Sequence, residues 1–390
     1  MPVFLATDLL LYFFVFLIGY VILQFRFQPY LRNAWQEIKS RKLALISIFI
    51  LFLYGIVALC DTIRWREPLF DGQGNVSRDK NGEVIYSPGA LSLLDRLMSD
   101  IRENKEKTFS APFADRLYTK MPMEQPDGTV KRDYPVLKYP GRHWLGTDKV
   151  GNDVLFSAIK GIRTGVIIGG GTTLVAIPFA IFFGVLAGFF GGFVDDIIHY
   201  IYTTLSSIPA VLLIVAFMLI FGTTGYQGGL ITDNDLTLGL FVFNDRLFWL
   251  CFIMGITSWT SLCRLLRGET LKLREMEYIQ ASEVLGVQKL VTVYRHIVPN
   301  VTHIVLISFI LQFSNLVLAE AILSYIGIGV GSETGSWGNM ISTARLELSR
   351  EPIVWWNLMA AFIIMIGLVL PANILGDAIR DALDPRLRKM

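Results

Sequence analysis

The stretch Arg274-Glu275-Met276-Glu277-Tyr278-Ile279-Gln280-Ala281-Ser282-Glu283-Val284-Leu285-Gly286-Val287, with Tyr294-Arg295-His296-Ile297-Val298-Pro299-Asn300 close behind it, decides how the rest of the chain is read. It lies between two apolar runs, Leu247–Leu262 and Ile304–Ile326. Tyr278, Ala281, Ser282 and Leu285 recur at i, i+3, i+4 and i+7, the spacing of one helical face. Gly286 follows where a capping glycine ends a helix, and Pro299 marks entry into the next run. These residues predict two short helices broken at Gly286. Two uses stay open for them: an amphipathic helix lying on a membrane surface, or a compact lever held between two spanning helices, so that force on it moves both.

The flanking runs belong to a larger set. A spanning helix needs roughly twenty apolar residues, and seven runs approach that length: Phe4–Phe25, Leu43–Cys60, Thr164–Phe190, Tyr200–Phe221, Leu247–Leu262, Ile304–Ile326 and Trp356–Leu375. Of the 390 residues 53% are hydrophobic and only 17% charged, too few charges to keep so much apolar surface in water. An all-α polytopic membrane protein follows. The net charge of +2 speaks against a nucleic-acid footprint. The first run has no basic segment before it and carries Asp8, so it reads as a retained anchor and not a signal peptide. The three cysteines, Cys60, Cys251 and Cys263, lie in or beside apolar runs and read as small buried hydrophobes.

Basic residues orient the chain. Arg26, Arg32, Lys39, Arg41 and Lys42 lie between the first two runs; Arg264, Arg267, Lys272, Arg274, Lys289 and Arg295 follow the fifth; Arg380, Arg386, Arg388 and Lys389 fill the tail. Seven alternating spans put all three segments on one side, the cytoplasm, if the N-terminus is outside. Residues 61–163 are then extracytoplasmic. Asp71-Gly-Gln-Gly, Lys80-Asn-Gly and Pro126-Asp-Gly are turn signals there. Gly82–Tyr86 reads as a short strand, and Leu91, Leu94, Leu97, Met98 and Ile101 as one helical face. Thr147 or Asp148 is placed to cap an amphipathic helix carrying Val150, Val154, Leu155 and Ala158, lying flat on the outer membrane face. This insert is either a structured cap or a docking surface for an extracytoplasmic partner. The resulting division is an N-terminal anchor with a basic loop (1–42), a second span (43–60), the α+β insert (61–163), a five-helix core (164–376) holding the cytoplasmic loop (264–300), and a basic tail (377–390).

Motifs for covalent chemistry are missing from the sequence. There is no GxxxxGK[ST] phosphate loop, no HExxH and no GxSxG beside suitable partners. The four histidines are scattered, and Pro299 separates His296 from His303, so no metal site is expected. Gly184, Gly188 and Gly192 repeat every four residues, a spacing that lets helix backbones approach closely. They serve either packing within the chain or contact with a second subunit. Pro209 predicts a kink. Glu320, an acid inside an apolar run, is either functional or hydrogen-bonded to a neighbouring helix.

The loop after the fifth run resembles the cytoplasmic loop of binding-protein-dependent importer permeases, whose pattern is Glu-Ala-Ala, three residues, Gly, nine residues, Ile, one residue, Leu-Pro. Gln280-Ala281-Ser282 stands at the triplet, Gly286 at the glycine, His296 at the isoleucine and Val298-Pro299 at the end. Arg295-His-Ile-Val-Pro-Asn300 is similar to the dipeptide, oligopeptide and nickel branch, second-permease type. So are Leu145-Gly-Thr-Asp148 with Gly151-Asn-Asp-Val-Leu155, Tyr325-Ile-Gly-Ile-Gly329 with Ser336-Trp-Gly338, and Leu375–Arg386. The chain departs from that branch at Asn152, where an Arg is usual, and at Tyr200 and Thr203, where an Arg and an acid are usual. The first anchor and the large insert are additions.

The resemblance implies the type I fold of such importers, in a prokaryotic cytoplasmic membrane; the basic-loop asymmetry gives the N-terminus outside and the C-terminus inside. The resemblance also implies half of a translocation pathway for di- or oligopeptides, nickel chelates being the alternative. The expected partners are a second permease, two ATP-binding-cassette ATPase subunits and an extracytoplasmic solute-binding protein. ATP and Mg are expected on the partners and no cofactor on this chain. Coupling to the ATPase is expected at Tyr278, Gln280, Ala281, Ser282, Leu285, Gly286 and Pro299. Gly184, Gly188, Gly192, Pro209 and Glu320 are candidates for packing or pathway. A membrane enzyme would need clustered His, Asp or Glu, and an ion-coupled carrier several intramembrane ionisable residues; the sequence offers Glu320 alone.

Overall fold

A computed structural model describes residues 2–27, 29–69, 76–78, 84–87, 89–124, 130–221, 237–238, 241–242, 246–331 and 334–383. The chain opens with strand β1 (Pro2–Leu5), helix α1 (Ala6–Phe27) and the amphipathic α2 (Pro29–Ser40), then α3 (Lys42–Thr62). The insert between α3 and the next long helix holds β2 (Arg64–Trp65), β3 (Leu91–Ser92), the short α4 (Leu93–Leu97) and α5 (Ser99–Glu103), and a β4–β5 pair (Met121–Glu124, Val130–Asp133). Next come α6 (Val154–Phe190), α7 (Gly192–Ser207), α8 (Ala210–Phe221), β6 (Thr237–Leu238), β7 (Phe241–Val242) and α9 (Arg246–Arg274). The loop after α9 supplies α10 (Glu277–Val284), α11 (Lys289–Thr292) and a π-turn at Val293–Ile297; α12 (Val298–Ile326), α13 (Trp337–Glu347) and α14 (Trp356–Leu383) complete the fold.

Among the described residues five helices are long and apolar enough to span: α3, α6, α9, the continuous Lys289–Ile326 rod and α14. The fourth apolar run is not a straight span. α7 and α8 meet at 90° around Ile208–Pro209, where proline withholds its N–H and its predecessor leaves the helical region. The predicted flat helix on the outer face also has to be corrected. Residues 154–163 are the first turns of α6, which runs unbroken for 37 residues, about 55 Å, well beyond the roughly 30 Å hydrocarbon core. Its cap is Asp153, whose Oδ1 accepts from the Leu155 and Phe156 N–H groups at 2.8 and 3.3 Å. Asp148 instead closes a tight turn through the Val150 and Asn152 N–H groups. In the insert the Leu91–Ile101 face is split into α4 and α5, with Leu94 buried and Leu97 exposed. Val84 and Tyr86 form isolated bridges; the three predicted turns and tail residues 384–390 lie outside the described residues.

α6 is the axis, because its glycines let neighbours touch its backbone. A Cβ on Gly184 would stand 2.7 Å from the Cys263 carbonyl oxygen, and one on Gly188 2.6 Å from Thr270 Cβ and 2.7 Å from the Arg267 oxygen. α9 answers with Gly255, which faces Val175. Gly184 and Gly188 thus lie on the seam between two helices of this chain. Gly192 is off that ridge, at the turn into α7 with φ +53° and open space around it. Overpacking such a seam costs about 1–3 kcal/mol, so Gly188→Val will lower the thermal unfolding midpoint of the detergent-solubilised protein, whereas Gly268→Ala, facing open space, will not.

The N-terminal anchor is built into this core. Phe14 lies against Gly170 and packs with Phe309 and Phe313. Asp8, fully buried, pairs with the buried Arg163 of α6, which also donates to Thr7 at 3.0 Å. β1 occupies the middle of a five-stranded outer sheet, antiparallel to β2 and parallel to β7. At the opposite end of the bundle Ala34 and Ile38 of α2 pack with Ala44 of α3 and with Ala378, Ala382 and Leu383 of α14, and Arg41 pairs with Asp381 at 2.6 Å.

Candidate functional site

The loop between α9 and α12 is a short helix mounted on two long ones. α9 runs on to Arg274, turns at Glu275–Met276 and gives way to α10. Ile279, fully buried, plugs α10 into a cluster with Leu266 of α9 and Ile297 ahead of α12. Gly286 adopts φ +77°, which reverses the chain; its N–H donates to the Glu283 oxygen and that of Val287 to the Ser282 oxygen, both at 3.0 Å. Glycine takes this left-handed backbone without strain, and β-branched residues do not. Lys289–Ile326 then forms one 38-residue rod, with the π-turn just before Pro299.

The predicted face is divided by this packing. Ala281 and Leu285 point outward, and Leu285 is 81% exposed. Ser282 turns inward, against expectation: its hydroxyl donates to the Ile279 oxygen at 2.8 Å and lies 3.2 Å from Thr292 Oγ1. It therefore holds the loop shut. Tyr278 braces α10 to α12, its hydroxyl accepting from Asn300 Nδ2 at 3.2 Å and its ring lying edge-on to His296. Gln280 is exposed and donates to the Glu275 oxygen; Pro299 sits in the first turn of α12. The sequence pattern missed Val284, Leu290 and Tyr294, exposed at 88%, 66% and 80%. With Leu285 they put apolar groups where the chain offers no cover, the mark of an interaction surface.

Glu320 is held by hydrogen bonds. Ser324 and Ser336 each donate a hydroxyl to its Oε1 at 2.6 Å. Ser336 also caps α13 through the Gly338 N–H, and Gly338 leaves no room for a Cβ beside Glu320. The next residue, Trp337, lies on Gly161 and Gly165 of α6 and donates to the Ala158 oxygen at 2.8 Å. Glu320 thus pins α13 to the outer ends of α6 and α12.

The outer side also holds polar contacts that spacing did not reveal. Asp153, the α6 cap, bonds His143 Nδ1 at 2.9 Å, and Glu106, 3.7 Å from His143 Nε2, accepts from the Lys138 and Tyr139 N–H groups. Lys160 bridges Asp61 (3.3 Å) and Asp95. Burial raises the Asp95 carboxyl, but its bonds from Lys160 and Ser92 outweigh that and hold it below the usual carboxylate range. Burial, then the charge of Arg163, lowers the Arg64 guanidinium. Burial pushes up the Glu347 carboxyl, which accepts from Asn357 at 3.1 Å. Trp356 donates to the Thr147 oxygen and Tyr118 to the Ile353 oxygen, so the insert is bolted to the start of α14. Among the described residues no three His, Cys, Asp or Glu side chains converge as a metal site.

Five helices long and apolar enough to span, with apolar side chains left exposed on the loop between α9 and α12, define an integral membrane protein with an uncovered apolar surface on that loop. The chain belongs to the family described as binding-protein-dependent transport system inner membrane component, whose profile matches residues 180–389, more than half of it. It is the permease subunit of an ATP-binding-cassette importer, integral to the inner membrane. It is 33% identical over 251 residues to the oligopeptide transport system permease protein OppC of Bacillus subtilis, covering 63% of this chain and 73% of that one. The dipeptide transport system permease protein DppC of the same organism is 27% identical over 271 residues, 69% and 77% of the two chains. The glutathione transport system permease protein GsiD of Pectobacterium atrosepticum is 29% identical over 247 residues, 63% and 73%.

Proposed function

We propose that this chain is one of two paired permease subunits importing short peptides delivered by an extracytoplasmic solute-binding protein. The observation that carries this is the likeness to permeases named for oligopeptides, dipeptides and glutathione, over about two thirds of the chain. Two ATPase subunits sit below, each with a groove for one coupling helix. Here that helix is α10, presenting Gln280, Ala281, Val284 and Leu285, with Gly286 setting its end and Tyr278, Ser282 and Pro299 fixing its mount. ATP and Mg bind the partners. Closure of the ATPase dimer pushes α10, and the push reaches the membrane through α9 and the rod into α12. The chain itself performs no covalent chemistry. Receptor docking outside and nucleotide binding inside are then linked by one coupling free energy.

The test is reconstitution. The purified chain is expected to show no saturable ATP binding, to co-purify with its ATPase subunits, and to support ATP- and receptor-dependent uptake of a labelled tripeptide. Uptake that persists without the ATPase subunits would refute the assignment. The basic-loop asymmetry further places the N-terminus and the insert outside and α10 inside. A reporter fused after Arg41 is expected to be cytoplasmic, and an extracytoplasmic signal there would reverse the topology.

A further inference from the structure

α7 has three faces. Ile198 and Tyr202 are buried against Trp259, Leu262, Cys263 and Leu266 of α9, in the cluster that also takes Ile279 of the cytoplasmic loop. A second flank, Ile197, Ile201 and Ile208, is apolar and exposed. The third is a polar ladder of Asp196, His199, Tyr200, Thr203, Thr204 and Ser207, spaced i, i+3, i+4, i+7, i+8 and i+11, lining an open groove of about 560 Å³. The ladder ends at the 90° break, beyond which α8 packs Ile214 and Met218 against the outer half of α9. The groove therefore lies in the cytoplasmic half of the fold, beside the spans.

The apolar flank suits lipid or another protein. The ladder does not suit lipid, where groups that hydrogen-bond stay turned toward protein or a water-filled path. Its acid is also free to act. Asp195 is taken up by Arg267 at 2.5 and 2.6 Å, whereas among the described residues no cation lies within ion-pair distance of Asp196. A lone carboxylate followed by hydroxyls complements a chain that begins with an ammonium and continues with amides.

We propose that this ladder is part of the translocation wall, where Asp196 takes the N-terminal ammonium of the passing peptide and Tyr200, Thr203, Thr204 and Ser207 exchange hydrogen bonds with its amides. This rests on the peptide reading of the permease given above. It adds the residues that touch the substrate and makes a free amino terminus something the membrane subunit itself recognises.

The test uses the complete complex in proteoliposomes, with tri-alanine as probe and saturating receptor. Losing one charge-assisted contact is expected to cut the import rate of Asp196→Asn by about ten- to hundredfold, while the sister permease and ATPase subunits still co-purify. Thr203→Cys, in a chain whose partly exposed Cys60 is replaced by alanine, should react with an impermeant maleimide from the cytoplasmic side. Tri-alanine turnover should slow that reaction. Wild-type import by Asp196→Asn, or labelling that turnover does not slow, would make the ladder a face turned to the cytosol. Loss of the sister permease on purification of Asp196→Asn would make it a subunit interface. Either overturns the proposal. A wild-type complex that imports another solute but no tri-alanine refutes the peptide reading and with it the ammonium role of Asp196. Slowed labelling under that solute would still place Thr203 in the wall.

Discussion

Ala281→Arg and Gly286→Val will each abolish transport, in a chain that still inserts in the membrane and still pairs with its sister permease. Ala281 lies on the outward face of α10, and in the docking proposed above a groove that accepts its methyl group would have no room for a guanidinium. Overpacking of that kind costs about 1–3 kcal/mol, which weakens association with the ATPase roughly fivefold to over a hundredfold. The harm at Gly286 has a different source. Nothing lies within 4 Å of a Cβ built there, so a side chain meets no obstacle. What fails is the backbone: φ +77° is left-handed, and β-branched residues are genuine outliers there. Asparagine tolerates that region, so Gly286→Asn should retain transport where Gly286→Val does not. ATPase co-purification and peptide uptake measure both effects. Normal uptake by Ala281→Arg and Gly286→Val together would mean that the drive enters elsewhere. Failure to insert would make the loop a folding element.

Asp8→Ala should destabilise the protein by about 3–5 kcal/mol, the usual cost of removing one partner from a buried ion pair. Arg163 is only 4% exposed, and its ion partner among the described residues is Asp8, 155 positions away in the chain. With alanine at position 8 the guanidinium keeps Thr7 as a hydrogen-bond acceptor but loses its countercharge. The double variant Asp8→Ala with Arg163→Met should recover much of the loss, because it removes the stranded charge. Thermal unfolding of the solubilised complex measures both. An Asp8→Ala protein as stable as the parent would show that α1 is an accessory anchor and not part of the core.

The apolar runs, the short helix between the fifth and sixth of them, and the glycine that ends it were legible from the residues, because each depends on chain-local physics. Run length against bilayer thickness, the 3.6-residue period and the cost of positive φ all act within about twenty neighbours. The same locality explains what was misplaced. α10 carries apolar residues on two sides, and periodicity could not choose between Ile279 and Leu285 as the inward one. Packing on Leu266 and Ile297 chose Ile279 and drew Ser282 in with it. Gly184, Gly188 and Gly192 share one spacing, yet the last falls beyond the end of α6, at a turn. Asp8 could be flagged as odd in an apolar run, but its reason lies on another helix. His143, Asp153 and Glu106 meet only because the insert folds back on the start of α6. The sequence by itself determined that this is a multispan protein with a short glycine-ended helix between its fifth and sixth apolar runs. Tertiary structure decided which face of each helix is spoken for, because burial is a property of pairs of elements and a single helix cannot specify what will cover it.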